Sequence, residues 1–176
     1  MKTRIHKAIY PGSFDPPTLG HLDVLGRGRR MFDEIVVAVG CNPDKSAFFE
    51  ADLRVEMMKQ LVDELVAADP NGAPVTVAFY DGLTVDFARD VEATVILRGI
   101  RNTTDLHAEC QLAITNRQVA DIESVFVVPG ESFAYTSSSL IRQIASLGGD
   151  LDRLRTMLPA LVIDAIADKR RAMADD

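Results

Sequence analysis

Short runs of β-branched residues alternate with longer stretches of helical apolar spacing along this chain, and the runs recur about every 25 to 30 residues. Strands with Val/Ile-rich centres are typical of a parallel sheet that helices cover on both faces. The predicted strands lie at Ala8–Tyr10, Glu34–Gly40, Val75–Tyr80, Thr94–Arg98 and Ser124–Val128. The predicted helices lie at Gly20–Met31, Ala51–Ala68, Thr84–Val91, Asp105–Ala120, Ser137–Leu147 and Pro159–Ala172. We therefore expect an α/β fold, a doubly wound sheet of five parallel strands with C-terminal helices, in a single domain over residues 1–176.

Composition limits the compartment and the partners. The chain has 26 acidic and 19 basic residues and a formal net charge of −7, which argues against a nucleic-acid or anionic membrane partner. It contains no apolar run near the roughly 18 residues of a membrane span, and its first residues form no apolar signal stretch. Two cysteines, Cys41 and Cys110, are too few and too far apart for a disulfide framework or a zinc site. We expect a soluble cytoplasmic protein with reduced thiols.

The segment after the first strand is rich in helix breakers and leads directly into a helix. Parallel sheets bind ligands beyond the carboxyl ends of their strands, where helix N-termini offer unpaired N–H groups. Here Gly12 allows close approach of a ligand to the backbone, Ser13 supplies a hydroxyl, and His21 lies beside the positive end of the helix dipole. A tight turn with a histidine that caps or packs is the alternative, but the complete Thr18–His21 string in this position favours a phosphate site.

A second glycine-containing run, Gly26–Arg30, superficially resembles the start of a dinucleotide fingerprint. These glycines fall inside a predicted helix rather than between a strand and a helix, and the third glycine is missing. Close helix packing explains them better.

Cations follow the second and fourth predicted strands. Lys45 comes after strand two, while Arg98 and Arg101 flank Gly99 at the end of strand four and precede a helix that carries Glu109. Arginine forks match phosphate oxygens, and a carboxylate such as Glu109 can accept from a ribose hydroxyl or orient a guanidinium. A solvated surface lysine and a surface Arg/Glu network are the alternatives. The position after buried strands favours an anion site.

A hydroxyl cluster, Ser137–Ser139, leads into the helix that follows the fifth strand. One serine suffices as an N-cap, so three in succession exceed the structural need. Hydroxyls and helix-terminal N–H groups together form a phosphate-binding surface without much charge.

These motifs resemble those of the nucleotidylyltransferase superfamily. Thr18–His21 resembles its (T/H)-x-G-H signature, and Ser137–Arg142 resembles its S-S-(S/T)-x-x-R signature. Within the superfamily the sequence is similar to the bacterial phosphopantetheine adenylyltransferases over nearly the whole chain. The similar segments are Ala8–Pro16, Arg98–Arg101, Glu109–Ala113 and Glu123–Phe126.

The resemblance implies a Rossmann-like fold and transfer of the adenylyl group of ATP to 4'-phosphopantetheine, with Mg2+ present and no covalent enzyme intermediate. It also implies feedback inhibition by coenzyme A and a homohexamer. His21 would stabilise the transition state. The implied acceptor site comprises Ser13, Lys45, Thr84 and Arg98. The implied ATP site comprises Ser13, Phe14, His21, Gly99, Ile100, Arg101, Glu109, Phe133, Ala134, Tyr135, Thr136, Ser137, Ser138 and Ser139.

The chain departs from the family pattern in three places. Ser13 stands where threonine is frequent and keeps the hydroxyl, Gln143 replaces a glutamate, and the stretch Gly130–Ser132 differs at the outer edge of the ATP pocket. Three alternatives stay open: a sister enzyme that uses nicotinate mononucleotide or glycerol phosphate, a nucleotide-binding module without chemistry, and RNA binding by the arginines. The net charge of −7 argues against the last of these.

Overall fold

The computed structural model of the protein describes residues 6–41 and 46–174. Its five strands are all parallel and form one sheet in the order β3-β2-β1-β4-β5, which confirms the predicted fold class. The strands are β1 (Lys7–Gly12), β2 (Glu34–Gly40), β3 (Val75–Tyr80), β4 (Val95–Gly99) and β5 (Glu123–Val127). The strand order reverses between β1 and β4, which opens a crevice at the carboxyl edge of the sheet.

Among the described residues, six α-helices connect and cover the strands. They are α1 (Leu19–Gly28), α2 (Ala51–Ala68), α3 (Thr84–Asp90), α4 (Thr103–Ala120), α5 (Ser138–Ser146) and α6 (Ala160–Ala174). Most predicted boundaries lie within two residues of the observed ones, and the largest difference is at the end of α1. Helix α1 ends at Gly28 rather than Met31, and a Cβ at Gly28 would lie 2.6 Å from Leu97 Cδ2, so this glycine does serve close packing. Helix α4 begins two residues before Asp105, because the Asn102 side chain accepts the Asp105 N–H and forms the N-cap.

Apolar side chains form three core clusters, two of which cover the faces of the sheet. One cluster fills the face between the sheet and helices α1 and α2, and a second lies on the opposite face beside α3. A third cluster packs α5 and α6 onto the outer side of α2, and here Val162 and Ile166 are fully buried. Leu161, packed against this cluster, is half-buried, so the apolar residues of the C-terminal helix belong to the core.

Helix α4 differs from the others because none of its residues is buried. Its apolar side chains Leu112, Ile114 and Val119 are each more than half exposed. Within the part of the chain that the structure describes, no helix combines the length and the apolar character that crossing a membrane requires.

Candidate active site

A cavity of about 570 Å³ lies at the carboxyl edge of the sheet, and residues from β1, β2 and β4 and from α1, α4 and α5 line it. The residues predicted from separate parts of the chain therefore come together in one place. Those that line the cavity are Ser13, Phe14, His21, Thr84, Arg98, Gly99, Arg101, Glu109, Thr136, Ser137, Ser138 and Ser139.

Four of the predicted ATP-site residues lie outside the cavity lining. Ile100 is a core residue with 8% exposure, and Phe133 lies against the first turn of α1. Ala134 is half-buried beyond the cavity, and Tyr135 is 85% exposed. The predicted acceptor cation Lys45 falls outside the described residues.

The N-terminus of α1 orients His21. Its backbone N–H donates to Thr18 Oγ1 at 3.2 Å, and its ring Nδ1 accepts the Thr18 N–H at 3.0 Å, which forms a capping box with histidine in the third position. Because Nδ1 accepts from a backbone donor, the proton of the neutral ring resides on Nε2.

The protein keeps this imidazole neutral. Burial of the ring, followed by the positive charges of Arg101 and Arg98, lowers the pKa of His21 from 6.5 to about 4. The helix N-terminus acts in the same direction. At neutral pH the ring is therefore an uncharged hydrogen-bond donor through Nε2 rather than a cation.

The aromatic ring of Phe14 shapes the loop that follows β1. Its backbone has a φ of 46°, a strained region for a non-glycine residue, and its ring is 1% exposed. The ring packs edge-on against His21 with centroids 5.1 Å apart. A Cβ at Gly12 would lie 3.0 Å from the Phe14 ring. The Phe14 ring therefore requires glycine at position 12, independently of the ligand approach that the sequence predicts there.

Arg98 and Glu109 form a bidentate ion pair across the other side of the cavity. Arg98 Nε donates to Glu109 Oε2 at 2.7 Å and Nη2 donates to Oε1 at 2.5 Å, while Nη1 donates to the Pro11 carbonyl at 2.6 Å. Burial alone would lower the pKa of Arg98, but the hydrogen bonds and charge of Glu109 outweigh it and raise the pKa. The guanidinium therefore remains a cation.

Arg101 forms a similar ion pair with Asp105, which lies one helical turn before Glu109 on α4. Its Nε donates to Asp105 Oδ2 at 2.8 Å, and its Nη1 donates to the Thr136 carbonyl. Burial would raise the pKa of Asp105, but its contacts with Arg101 lower it. A Cβ at Gly99 would lie 2.9 Å from Val24 Cγ2, so packing against α1 requires glycine there in addition to any ligand.

The serine cluster connects the start of α5 to the loop after β1. Ser137 is the N-cap, as predicted, and accepts from the Leu140 N–H at 3.5 Å. Ser138 Oγ donates to the Pro16 carbonyl at 2.9 Å. Ser139 Oγ accepts from Arg142 Nη2 at 3.1 Å, so each of the three hydroxyls already has a partner.

The residues that line the cavity without a function predicted from the sequence include Asp15, Arg54 and Tyr80. Tyr80 shares a 2.9 Å hydrogen bond between its hydroxyl and that of Thr84. The sequence pattern does indicate an unusual role for Arg54, because this charged residue lies on the apolar face of α2, one turn before Met57 and Met58. Among residues 6–41 and 46–174 no group of three or more His, Cys, Asp or Glu side chains could hold a metal ion.

Comparison of the sequence with known proteins gives three findings. A family model described as cytidylyltransferase-like matches residues 9–144. The chain is 42% identical to a phosphopantetheine adenylyltransferase of a Synechocystis strain over 89% of this chain and 94% of that one. It is 43% identical to the enzyme of the same name from Geobacter metallireducens over 92% of this chain and 94% of that one.

Among solved structures, nicotinic acid mononucleotide adenylyltransferase from Plasmodium falciparum complexed with NaAD superposes with a TM-score of 0.55. The two chains are 19% identical, and the match covers 94% of this chain and 96% of that one. At this identity the likeness concerns the fold alone.

Proposed function

The chain belongs to the phosphopantetheine adenylyltransferases, a family of nucleotidyltransferase enzymes, and from this membership we propose that it transfers the adenylyl group of ATP to 4'-phosphopantetheine. The products are dephospho-coenzyme A and pyrophosphate, and the reaction is the penultimate step of coenzyme A synthesis. The observation that carries the proposal is the convergence of both signature motifs on one cavity, with His21 on one wall and Ser137–Ser139 on another.

The proposed chemistry is a single in-line displacement. A phosphate oxygen of the acceptor attacks the α-phosphorus of ATP, a new P–O bond forms, and the bond from the α-phosphorus to the bridging oxygen breaks as pyrophosphate leaves. Such transfers depend on positioning and on charge stabilisation more than on a protein nucleophile. The cavity supplies donors and cations on several walls, which supports a mechanism without a covalent enzyme intermediate.

His21 is the proposed stabiliser of the transition state. The capping box fixes its ring, and Nδ1 is occupied by the Thr18 N–H, so Nε2–H remains as the donor for an α-phosphate oxygen. A preorganised neutral donor needs no reorganisation when negative charge develops, which is the condition under which such a group accelerates a reaction.

The acceptor phosphate is proposed to bind Arg98, Ser13 and Lys45, with Thr84 beside the pantetheine arm. Arg98 stays charged because of Glu109, and Ser13 is exposed where the loop after β1 meets the cavity. A phosphate that approaches Arg98 competes with Glu109 for the same donors.

ATP is proposed to bind the opposite part of the cavity, with Arg101 and Ser137–Ser139 at its phosphates and Glu109 at its ribose. The N-cap of α5 adds backbone N–H groups to these hydroxyls. Magnesium enters in this proposal as part of the MgATP substrate, since Mg2+ commonly binds through substrate phosphates and retains several waters. Ile100 and Phe133–Thr136 would border the nucleotide.

We extend the proposal to the assembly and the compartment through the family resemblance. A homohexamer in the cytoplasm, inhibited by coenzyme A, is the state we propose. The exposed apolar side chains of α4 support self-association, because protein interfaces cover apolar surface that would otherwise face water. Light scattering at micromolar concentration measures the assembly, and a monomer would contradict this part of the proposal.

The function is tested by magnesium-dependent release of pyrophosphate from ATP with 4'-phosphopantetheine, nicotinate mononucleotide or glycerol 3-phosphate as acceptor. We expect release with 4'-phosphopantetheine alone. Release with another acceptor only would keep the chemistry and reject the substrate. No release with any of the three would reject enzymatic transfer and favour a binding module.

A further inference from the structure

Arg54 is a buried cation on the apolar face of α2. It is 2% exposed, and it precedes the buried Met57 and Met58 by one helical turn. Arginine is almost never buried this fully unless its donors are hydrogen-bonded, because removing its charge from water is costly. Its contacts therefore indicate why the chain keeps it there.

The guanidinium of Arg54 binds three separate backbone segments. Nη1 donates to the Ser13 carbonyl at 2.6 Å and to the Gly40 carbonyl at 2.9 Å, and Nε donates to the Phe49 carbonyl at 3.1 Å. Nη2 lies 3.5 Å from Cys41 Sγ. One side chain thus joins the loop after β1, the end of β2 and the segment that enters α2.

Asp15 makes the reciprocal connection. Its two carboxylate oxygens accept the N–H groups of Phe48 at 2.7 Å and Phe49 at 2.9 Å, and the residue is 4% exposed. Asp15 therefore connects the β1 loop to the entrance of α2 from one direction, while Arg54 connects them from the other. We call Asp15 and Arg54 together the loop latch.

We propose that Arg54 is a positioning residue for adenylyl transfer, which holds the Ser13 loop and the two flanks of segment 42–45 in the register that the acceptor phosphate requires. This inference rests on the proposed function. Both members of the loop latch line the cavity, yet their hydrogen bonds run to backbone groups. Their effect on the reaction therefore passes through the loops.

Arg29, the C-cap of α1, offers a matched control because it binds the far end of α2. It is also 2% exposed, and it too donates to three carbonyls, those of Ala73 at 2.9 Å, Leu65 at 3.2 Å and Asp69 at 2.7 Å. These carbonyls lie at and after the C-terminus of α2, outside the cavity lining. Arg29 and Arg54 therefore match in burial and bonding and differ in the end of α2 that they hold.

The experiment compares Arg54→Gln, Arg54→Lys and Arg29→Gln with the wild type by steady-state kinetics, ATP titration and hydrogen exchange. We expect Arg54→Gln to lower kcat/KM for 4'-phosphopantetheine about a hundredfold, the loss that an ångström-scale misplacement can cause. The Kd of ATP should stay within about threefold, since Arg101, Glu109 and Ser137–Ser139, which are proposed to bind ATP, lie on other elements. Exchange should accelerate in peptides that cover residues 46–50.

The remaining variants separate positioning from charge and from general stability. Arg54→Lys keeps the buried charge but cannot span three carbonyls, so we expect no recovery of kcat/KM. Arg29→Gln should keep wild-type kinetics while exchange accelerates around residues 65–73. Should Arg54→Gln fail to fold, Asp15→Asn replaces it, because an amide accepts only one of the two N–H groups and opens the latch from the other side.

Each outcome has one meaning. Wild-type kinetics in the Arg54 or Asp15 variants, with an active wild type beside them, would reject the positioning role and leave the proposed function intact. Full recovery by Arg54→Lys would show that the charge matters and would also reject it. An equal loss of kcat/KM in Arg29→Gln would show that the loss in the Arg54 variants comes from general destabilisation of the protein. An inactive wild type would reject both the proposed function and this inference.

Discussion

On the side of the cavity built by β1 and β2, the polar residues Asp15, Thr18 and Arg54 are between 2% and 4% exposed and bond to backbone groups or to a neighbouring histidine. On the side built by β4 and α4, the side chains of Arg98 and Arg101 are 29% and 33% exposed and pair with carboxylates. We call these the β1 side and the β4 side.

The difference separates two tasks of one site. A buried group that loses its backbone partner stays unsatisfied, so the hydrogen bonds of the β1 side cannot be exchanged for a ligand at low cost. Ion pairs that water reaches contribute little net stability, and a phosphate can replace one partner. The β1 side therefore supplies fixed geometry, and the β4 side supplies charge that a ligand can take over.

The largest predicted effect tests the fixed geometry. His21→Ala removes the Nε2–H donor while the cations of the β4 side remain, so we expect kcat to fall by about three orders of magnitude, as for loss of a preorganised oxyanion donor. The Kd of ATP, measured by calorimetry, should change by less than about threefold.

The control for this change is His6→Ala, which removes an exposed histidine outside the cavity lining and should leave kcat unchanged. Near-normal turnover of His21→Ala would remove the imidazole from the mechanism. A collapse of ATP affinity would instead make it a binding residue.

The second prediction concerns the exchangeable charge of Arg98. Arg98→Ala should raise the KM for 4'-phosphopantetheine about a hundredfold, since hydrogen bonds to a charged phosphate contribute about 1.5–3 kcal/mol. The Kd of ATP should change far less. The double variant Arg98→Ala/Glu109→Ala removes the carboxylate that the single change leaves unpaired, and it should keep the acceptor defect. If calorimetry showed ATP affinity lost and acceptor affinity kept, the assignment of this arginine would be wrong.

The sequence predicts the charge of the β4 side better than the geometry of the β1 side. Arg98 and Arg101 stand at the end of a β-branched run and Glu109 lies on the helix that follows, so the general rule for parallel sheets places the two arginines at the cavity. The sheet and its parallel strands follow from the same runs. These predictions need only the positions of elements, and apolar periodicity encodes those positions strongly.

The geometry of the β1 side needs contacts between distant segments. Arg54 reaches back 41 residues to the Ser13 carbonyl, and no local pattern contains that contact. For the same reason the sequence predicts ligand approach at Gly12 and an ATP contact at Gly99, whereas Phe14 and Val24 occupy the space beside them. Helix α4 forms where the sequence predicts a helix, but none of its residues is buried within the chain, and no local pattern indicates that exposure.

A smaller effect is expected from the other β4-side cation. Arg101→Met should raise the Kd of ATP about tenfold and leave acceptor affinity unchanged, because loss of one partly solvated phosphate contact costs about 1.4 kcal/mol. Arg117→Met, at the exposed C-terminal end of α4, is the control and should bind ATP normally. Equal losses in both variants would mean that general surface charge attracts the nucleotide.

The smallest expected effect is the absence of a titration step. Because the pKa of His21 lies at about 4, its ring should remain neutral with the proton on Nε2 from pH 8 down to about 5 in the ligand-free protein. An unfolded chain would take up this proton near pH 6.5, so His21 contributes stability that is complete above that pH and is lost as the pH falls toward 4. NMR of the imidazole nitrogens, with His21→Ala to assign the signals, measures both protonation and tautomer. A ring that titrates near 6.5 would show that the β1 side does not hold His21 as a neutral donor. Stabilisation of the transition state would then come from the charge of a protonated His21 rather than from a fixed neutral donor.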